Sequence, residues 1–414
     1  MLALTGGAEA ASLSDQLHQF LETNVGIGKA DSVTGAPVEF VDTAVPILQR
    51  LEVRGADFPV TSTSPGFSFR YNPGLGMWEP VTSSLGPVFV DRADAIGGKR
   101  LDVSATYLFA RLTEVDGESL KASGNDLATV FSGQELKVGK NPNTGQCCHQ
   151  ISTFNFDEFA LEQHVLNLSL TYGLTDGWDV NMLVPIIGTR LIARGVSTLG
   201  TAILGTNGKI QMRSASLDAD HEGIGDVQLR TKYLLGEQFG VKFATVVAFR
   251  PPTGDENNFQ GIGDFTITPS LVASKEVGRH DFHLNFGMEV DAQEVIQTRA
   301  RWAIGTTLQP FERAAYLLDF IGNSNFVNEN FEFSAGHTNV SSGPGIRKPA
   351  GRNPDGTFTA FAFIPRTDII DAATGVKFLL VPGRAVAHLG VIVPLTSDGL
   401  RAKAIPTGNI EVTF

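Results

Sequence analysis

The chain alternates. Between Gln163 and Gly173, His164, Leu166, Leu168, Leu170 and Tyr172 fall on one side. Gln163, Asn167, Ser169 and Thr171 fall on the other, interrupted by Val165. After a four-residue break at 174–177, carrying Thr175, Asp176 and Gly177, the pattern resumes: Trp178, Val180, Met182, Val184 and Ile186 oppose Asp179, Asn181 and Pro185. A side-chain period of two is that of a β-strand, and two such runs across an Asp-Gly turn predict a β-hairpin. In a soluble sheet the apolar face meets a protein core; in a membrane barrel it meets lipid, and the polar face lines the lumen.

The same alternation recurs along the chain. Leu101, Val103, Ala105, Tyr107 and Phe109 oppose Arg100, Asp102, Ser104 and Thr106; Val227, Leu229, Tyr233 and Leu235 oppose Asp226, Gln228, Arg230 and Lys232. Phe239, Val241, Phe243, Val247 and Phe249 oppose Lys242 and Arg250; Phe282, Leu284, Phe286, Met288 and Val290 oppose His283, Asn285 and Glu289. Further runs set Phe265, Ile267 and Leu271 against Asp264, Trp302 and Ile304 against Arg299 and Arg301, and Tyr316, Leu318 and Phe320 against Asp319. Val376, Phe378 and Leu380 then oppose Asp371 and Lys377, Leu389 and Val391 oppose His388, and the last residues, 409–414, still alternate.

That makes about twelve strands, with ten or fourteen as alternatives. The connections at 174–177, 236–238, 276–279, 310–313 and 381–384 are short, and those between them, at 115–157, 195–223, 253–262, 292–297, 327–366 and 396–405, are mostly much longer. Short turns on one side and long loops on the other mark an outer-membrane barrel, whereas a Greek-key sandwich has no reason to segregate them. The expected fold is therefore all-β: a membrane-spanning, up-and-down antiparallel β-barrel over 98–414, preceded by an N-terminal plug or periplasmic segment over 11–97.

Charge supports this setting, because a Lys or Arg facing mid-bilayer lipid costs roughly 2–4 kcal/mol. The expected lumen-lining set is Arg100, Asp102, Asn167, Asp179, Asn181, Asp226, Arg230, Lys232, Lys242, Arg250, His283, Glu289, Arg299, Arg301, Asp319, Asp371, Lys377 and His388, with Glu411 beside them. Facing rows of opposite charge would set up a transverse field in a wet pore; cross-strand ion pairs would instead fill a narrow barrel. Tyr172 with Trp178, Tyr233 with Phe239 and Phe311 with Tyr316 flank three short turns and, with Phe414, are the expected aromatic girdle.

The N-terminal region differs. Residues 1–10 end in Ala8-Glu9-Ala10, a small-x-small pattern expected of a signal-peptide remnant. Ser12 to Glu22 predicts a short helix, with Ser12 and Asp15 at its start and Leu13, Leu17, Phe20 and Leu21 on one face. From 26 to 97 turn residues abound, yet Phe58, Phe67, Phe69, Tyr71, Trp78 and Phe89 need something to pack on. The choices are a plug in the lumen, a cap on the periplasmic mouth or a loose extension.

The 414 residues contain no apolar run long enough for a membrane helix, and a net charge of −12 argues against nucleic acid as a partner. Cys147 and Cys148 are adjacent and cannot staple distant loops, so neither a disulfide framework nor a metal or cofactor site is expected. No Ser motif accompanies the inward His283 and His388, and no catalytic residues are assigned. The apolar residues Phe326, Phe331, Phe333, Phe358, Phe361 and Phe363 read as a hairpin extended beyond the membrane or as a greasy entry site; the charge-free stretch 196–204 could fold inward.

Three motifs add a resemblance. The terminal run Ile410-x-Val412-x-Phe414 resembles the C-terminal signal read by the bacterial barrel-assembly machinery. Gly223-Ile224-Gly225-Asp226 and Gly261-Ile262-Gly263-Asp264 each open a strand, and Arg250-Pro251-Pro252-Thr253-Gly254-Asp255 lies between them. Over roughly 100–414 this arrangement resembles the family of outer-membrane channels associated with the meta-pathway of phenol degradation. The resemblance implies a Gram-negative outer-membrane location and passive passage of small molecules, hydrophobic or aromatic ones among them. A closed structural or adhesive barrel is the alternative, with a surface enzyme behind it. Physically, each Gly-x-Gly-Asp reads more readily as a bulge with a capped turn than as a ligand site.

Overall fold

The computed structural model describes residues 11–25, 58–59, 61–63, 66, 68–72, 74, 77–80, 85–115, 117–119, 131–140, 147–203, 210–293, 298–326, 329–335, 346–347, 358–364 and 368–414. The expected signal remnant, 1–10, lies outside them, as do the side chains of Cys147 and Cys148.

Twelve strands close a barrel: β1 (Leu101–Val115), β2 (Cys147–Thr175), β3 (Trp178–Ile203), β4 (Gln228–Gln238), β5 (Val241–Arg250), β6 (Thr266–Val277), β7 (His280–Asp291), β8 (Arg299–Phe311), β9 (Ala314–Asn325), β10 (Asp368–Val381), β11 (Ala385–Pro394) and β12 (Ile405–Thr413). Each pairs antiparallel with the next, and β12 returns to β1, with Thr407 opposite Leu108 and Thr413 opposite Asp102. Closure leaves no barrel edge unpaired, as a span through hydrocarbon requires. Leu101 and Phe414 exchange backbone hydrogen bonds of 3.3 and 2.7 Å, which brings the start and end of the barrel together at the short-turn end.

The outside of this barrel is its apolar side. Leu168, Leu170, Met182, Ile186, Leu284, Phe286 and Ile304 are all exposed, while Asn167, Asp179, Asn181, His283 and Asp319 are buried inward. A continuous apolar band of this kind is a lipid-facing surface. Its upper limit is visible in the strand register. Phe109, His164 and Gly188 share one row, and on the next outward row Arg111, Glu162, Arg190 and Asp220 stand side by side across four strands. Below, at the short-turn end, the exposed rings of Tyr172, Trp178, Tyr233, Phe239, Phe311, Tyr316 and Phe414 lie near the opposite rim, and Trp178 Nε1 donates to Thr231 Oγ1 at 2.8 Å. The nine residues 164–172 between these limits match a tilted strand crossing a bilayer.

Several connections differ from expectation. The turn expected at 236–238 forms at Phe239 and Gly240, where Phe239 adopts a left-handed φ of 54°; an aromatic residue gives no sequence signal for that conformation. The stretch 195–223 is largely ordered strand: β3 continues to Ile203, and a strand at Ile210–Ile224 pairs back on it. Residues 196–203 thus extend upward beside Cys148–Asn155 instead of folding into the lumen. Within 327–366, Glu329–Ala335 pairs with Phe358–Ile364 in a small sheet separate from that of the barrel, and the side chains of both strands lie outside the described residues. Within 396–405, Leu400–Ala402 pairs with the top of β1.

Helix α1 (Leu13–Val25) begins one residue later than expected and runs three longer. Ser12 Oγ accepts the Asp15 N–H at 3.1 Å and donates to Asp15 Oδ2 at 2.7 Å, capping its start. The helix packs against Ile210–Ile224 and the turn at Glu256–Asn258, so it sits at the long-loop mouth, opposite the end a periplasmic cap would cover. Leu13, Leu17 and Phe20 are buried in one cluster with Phe89, Leu108 and Phe259, each such side chain contributing roughly 1.5–3 kcal/mol. Residues 61–63 and 85–98 then run inside the barrel, and Lys99 N bonds Gly173 O at 2.7 Å at the short-turn rim. Two glycines permit that exit: Gly97 has a φ of +104°, and a Cβ on Gly173 would lie 1.9 Å from the Gly97 carbonyl oxygen.

Candidate functional site in the barrel lumen

The inward charges divide into two groups by height. In the short-turn half they hold the backbone of the N-terminal segment. Lys377 Nζ donates to the carbonyls of Leu85 and Pro87 at 2.9 and 2.8 Å, and Asp319 accepts the Phe89 N–H at 3.2 Å. Lys232 Nζ donates to Asp94 O at 2.7 Å, and Asp179 accepts the Ile96 N–H at 3.1 Å. Lys242 Nζ lies 2.9 Å from the Asp94 carboxylate. A polypeptide crossing a lumen needs partners for peptide groups it cannot satisfy itself, and charged side chains supply the stronger hydrogen bonds.

Three further inward groups join this half. Asp102 Oδ1 accepts from Thr413 Oγ1 at 2.8 Å, with Glu411 deeply buried nearby. His388 meets the ring of Phe89 edge-on at 6.4 Å. His283 Nδ1 is 2.9 Å from Ser274 Oγ, and the same oxygen accepts the Ala93 N–H at 2.9 Å. A serine thus does stand beside an inward histidine, 9 residues away on the facing strand, which the sequence spacing did not suggest. Its oxygen is engaged by the segment, and the pair acts as another tether. Arg100 stands apart from the lumen rows, its guanidinium over the Phe69 ring at 4.5 Å near the short-turn rim.

In the long-loop half the charges pair with one another. Arg250 bonds Asp226 at 3.0 Å, Arg299 bonds Glu289 at 2.7 Å with Arg301 on the same carboxylate, and Arg401 bonds Asp371. Asp226 also accepts the N–H groups of Gly254 and Ile262, both at 2.9 Å. It is therefore the clasp that folds 250–262 back into the mouth, where Gln163 Nε2 reaches Phe259 O at 2.8 Å. Asn181 donates to Ser169 Oγ and Thr171 Oγ1 at 2.8 and 2.7 Å and accepts from Arg230 Nε at 2.8 Å. Asn167 is buried on the same inner wall.

Between the two halves lies a cavity of about 210 Å³. Phe58, Phe89, Val246, Ile321, Leu400 and Ile405 supply apolar wall, and Asp91, Arg230, Arg250, Glu289, Arg301, Asp371 and Arg401 supply charge. Such a mixed lining suits a small, mainly apolar molecule with a polar end.

Residues 167–316 match the family described as "Putative MetA-pathway of phenol degradation". The matched stretch covers 150 of the 414 residues. It contains both Gly-x-Gly-Asp segments and the Arg250–Asp255 run, the residues that Asp226 ties together. No curated protein sequence matches the chain. Among solved structures, an outer membrane channel from Pseudomonas putida F1 superposes with a TM-score of 0.46 at 9% identity, covering 78% of this chain and 98% of its own. A Pseudomonas aeruginosa FadL homologue gives 0.31 at 8% identity, over 76% and 89% of the two chains. The monoaromatic hydrocarbon channel CymD gives 0.33 at 8% identity, over 77% and 88%.

Sequence reasoning placed Gln163 on the polar face without a role and missed Arg401, Ser274, Phe259 and the acids Asp91 and Asp94. Arg401 lies on a three-residue strand, too short for alternation to show. Asp91 and Asp94 sit in the aperiodic segment. Phe259, fully buried at a φ of 58°, looks like a loop residue until the mouth is assembled around it.

Proposed function

We propose that this chain is an outer-membrane channel for the passive uptake of small hydrophobic or aromatic molecules, with residues 11–97 as its plug. The observation that carries the reading is the cavity inside a lipid-embedded barrel, walled by inward strand residues and by Phe58, Phe89 and Asp91 of the N-terminal segment. The phenol-degradation family match over 167–316 supports an aromatic solute. In this reading solute enters at the long-loop mouth, dwells in the cavity and leaves when the tethered segment shifts. The inward charges of the short-turn half are then the plug's latch, and those of the long-loop half shape the cavity. The lipid of a Gram-negative outer membrane is the surrounding partner, and Ile410, Val412 and Phe414 are the signal read by the barrel-assembly machinery.

Entry of toluene and of phenol into liposomes carrying the full chain tests this reading, beside a variant lacking residues 13–25. Faster entry than into empty liposomes, increased further by the deletion, is expected; no acceleration in either sinks the proposal. A sealed structural barrel is the second reading, favoured by the extent to which the segment fills the short-turn half. It expects no channel openings in planar bilayers from either protein.

A further inference from the structure

The cavity carries an unbalanced charge at a fixed place. Among the described residues, five guanidinium groups (Arg230, Arg250, Arg299, Arg301 and Arg401) line or border it against four carboxylates (Asp91, Asp226, Glu289 and Asp371). Arg250 pairs with Asp226, Arg299 and Arg301 share Glu289, and Arg401 pairs with Asp371. Asp91 receives Ser62 Oγ, Thr63 N and Thr63 Oγ1 at 3.0, 2.7 and 3.0 Å. Arg230 differs from the other four guanidiniums in its hydrogen bonds, since both of its protein acceptors are neutral: Asn181 Oδ1 at 2.8 Å to Nε and Thr61 O at 2.6 Å to Nη1, with the Asp91 carboxylate acting on it through space.

Those two bonds lock the guanidinium plane. Asn181 is itself held by Ser169 and Thr171, so its oxygen can only face the arginine. Arg230 Nη2 meets no acceptor of the protein, although the residue is only 6% exposed. Arg401 Nε, on the same cavity at 7% exposure, meets none either. A buried charged donor without a partner is costly, and a guanidinium fork is matched in shape and charge by a carboxylate. The volume is suitable too. A cavity of about 150 Å³ takes a benzene ring, and this one, at about 210 Å³, adds room for a carboxylate.

From this we infer that the cavity selects amphipathic monocarboxylates. The carboxylate sits on Arg230, and the ring or chain lies against Phe58, Phe89, Val246, Ile321, Leu400 and Ile405. The inference rests on the uptake reading and narrows its solute from hydrophobic molecules in general to acids.

Benzoate and benzamide, nearly identical in shape, separate the two. Calorimetric titration of the full chain in detergent is expected to show benzoate binding at least about tenfold more tightly, the ratio for one charge-assisted hydrogen bond. Arg230→Gln is expected to bring the two to parity. Asn181→Ala, which keeps the charge but frees the guanidinium, is expected to lower the ratio without abolishing it. Equal binding of benzoate and benzamide by the unmodified chain overturns the inference even if neither variant folds, and so does a ratio that survives Arg230→Gln. Binding of neither probe also overturns it. The uptake reading is judged apart, by toluene and phenol entry into liposomes: entry without benzoate preference leaves the channel standing and removes only the acid selectivity.

Discussion

Lys377 Nζ lies 2.9 Å from the carbonyl oxygen of Leu85, 292 positions earlier in the chain. A lysine that looks from its strand like a pore-lining charge is instead bound to the main chain of the segment crossing the pore. Asp319, Lys232, Asp179 and Ser274 repeat the arrangement at successive heights. The polar side of the barrel wall is thus a ladder of tethers, and the first expectation concerns what happens when one is cut.

Replacing Lys377 with Met removes the donor to Leu85 and Pro87 and leaves two buried carbonyls without it. Hydrogen bonds to charged groups contribute roughly 1.5–3 kcal/mol each, so the hold on residues 85–89 should weaken by about that much. Faster amide exchange at 88–96 and more frequent channel openings in planar bilayers are the expected readouts. Unchanged exchange there would show that the ladder does not restrain the segment.

Asp226 binds Arg250, Gly254 and Ile262 together. Asp226→Ala should strand a buried guanidinium, a loss of roughly 3–5 kcal/mol, and release the 253–262 loop that carries Phe259 into the mouth. A lower urea midpoint for the folded barrel, with new protease cleavage between 253 and 262, would report it. An intact loop in the variant would mean that Gln163 and α1 suffice to hold it.

The outward face gives a test of the membrane limits. Leu168→Arg places a charge within the apolar band and should destabilise the barrel in liposomes by roughly 2–4 kcal/mol. Arg111→Leu, one outward row above the band, should cost little, since its pairs with Glu158 and Glu162 are solvent-exposed. If both changes had equal effects, the boundary drawn between Phe109 and Arg111 would be misplaced.

Above that boundary, Asp218 bonds Arg190 at 2.8 Å, and this hydrogen bond holds its carboxyl below the usual carboxylate range. A depressed folded pKa gives support that is complete above the unfolded value of about 3.9 and fades as pH falls through the folded one. The strand at 210–224 should keep its amide protection from neutral pH down to mildly acid conditions and lose part of it only in stronger acid. Asp218→Asn should remove that acid step. An acid step that persists unchanged in Asp218→Asn would overturn this assignment.

What the sequence by itself determined is local and periodic. Alternation of Leu168, Leu170 and Tyr172 with Asn167, Ser169 and Thr171 settles strand, facing and lipid side, because a period of two and the cost of charge in hydrocarbon both act residue by residue. Strand number and turn sides followed from counting, and the bounds differed where Phe239 took a left-handed turn and where strand continued past the bilayer at 131–140, 147–157, 196–203 and 210–224. What the inward residues meet was decided by the tertiary structure alone. Lys377 and Arg230 carry the same charge on the same polar side and both donate to carbonyls of the N-terminal segment, yet Lys377 bonds two of them, Leu85 and Pro87, while Arg230 divides its bonds between Thr61 O and Asn181 and also lines the cavity. An aperiodic segment fixes its path by hydrogen bonds to groups far away in sequence, and no spacing within either partner records that meeting.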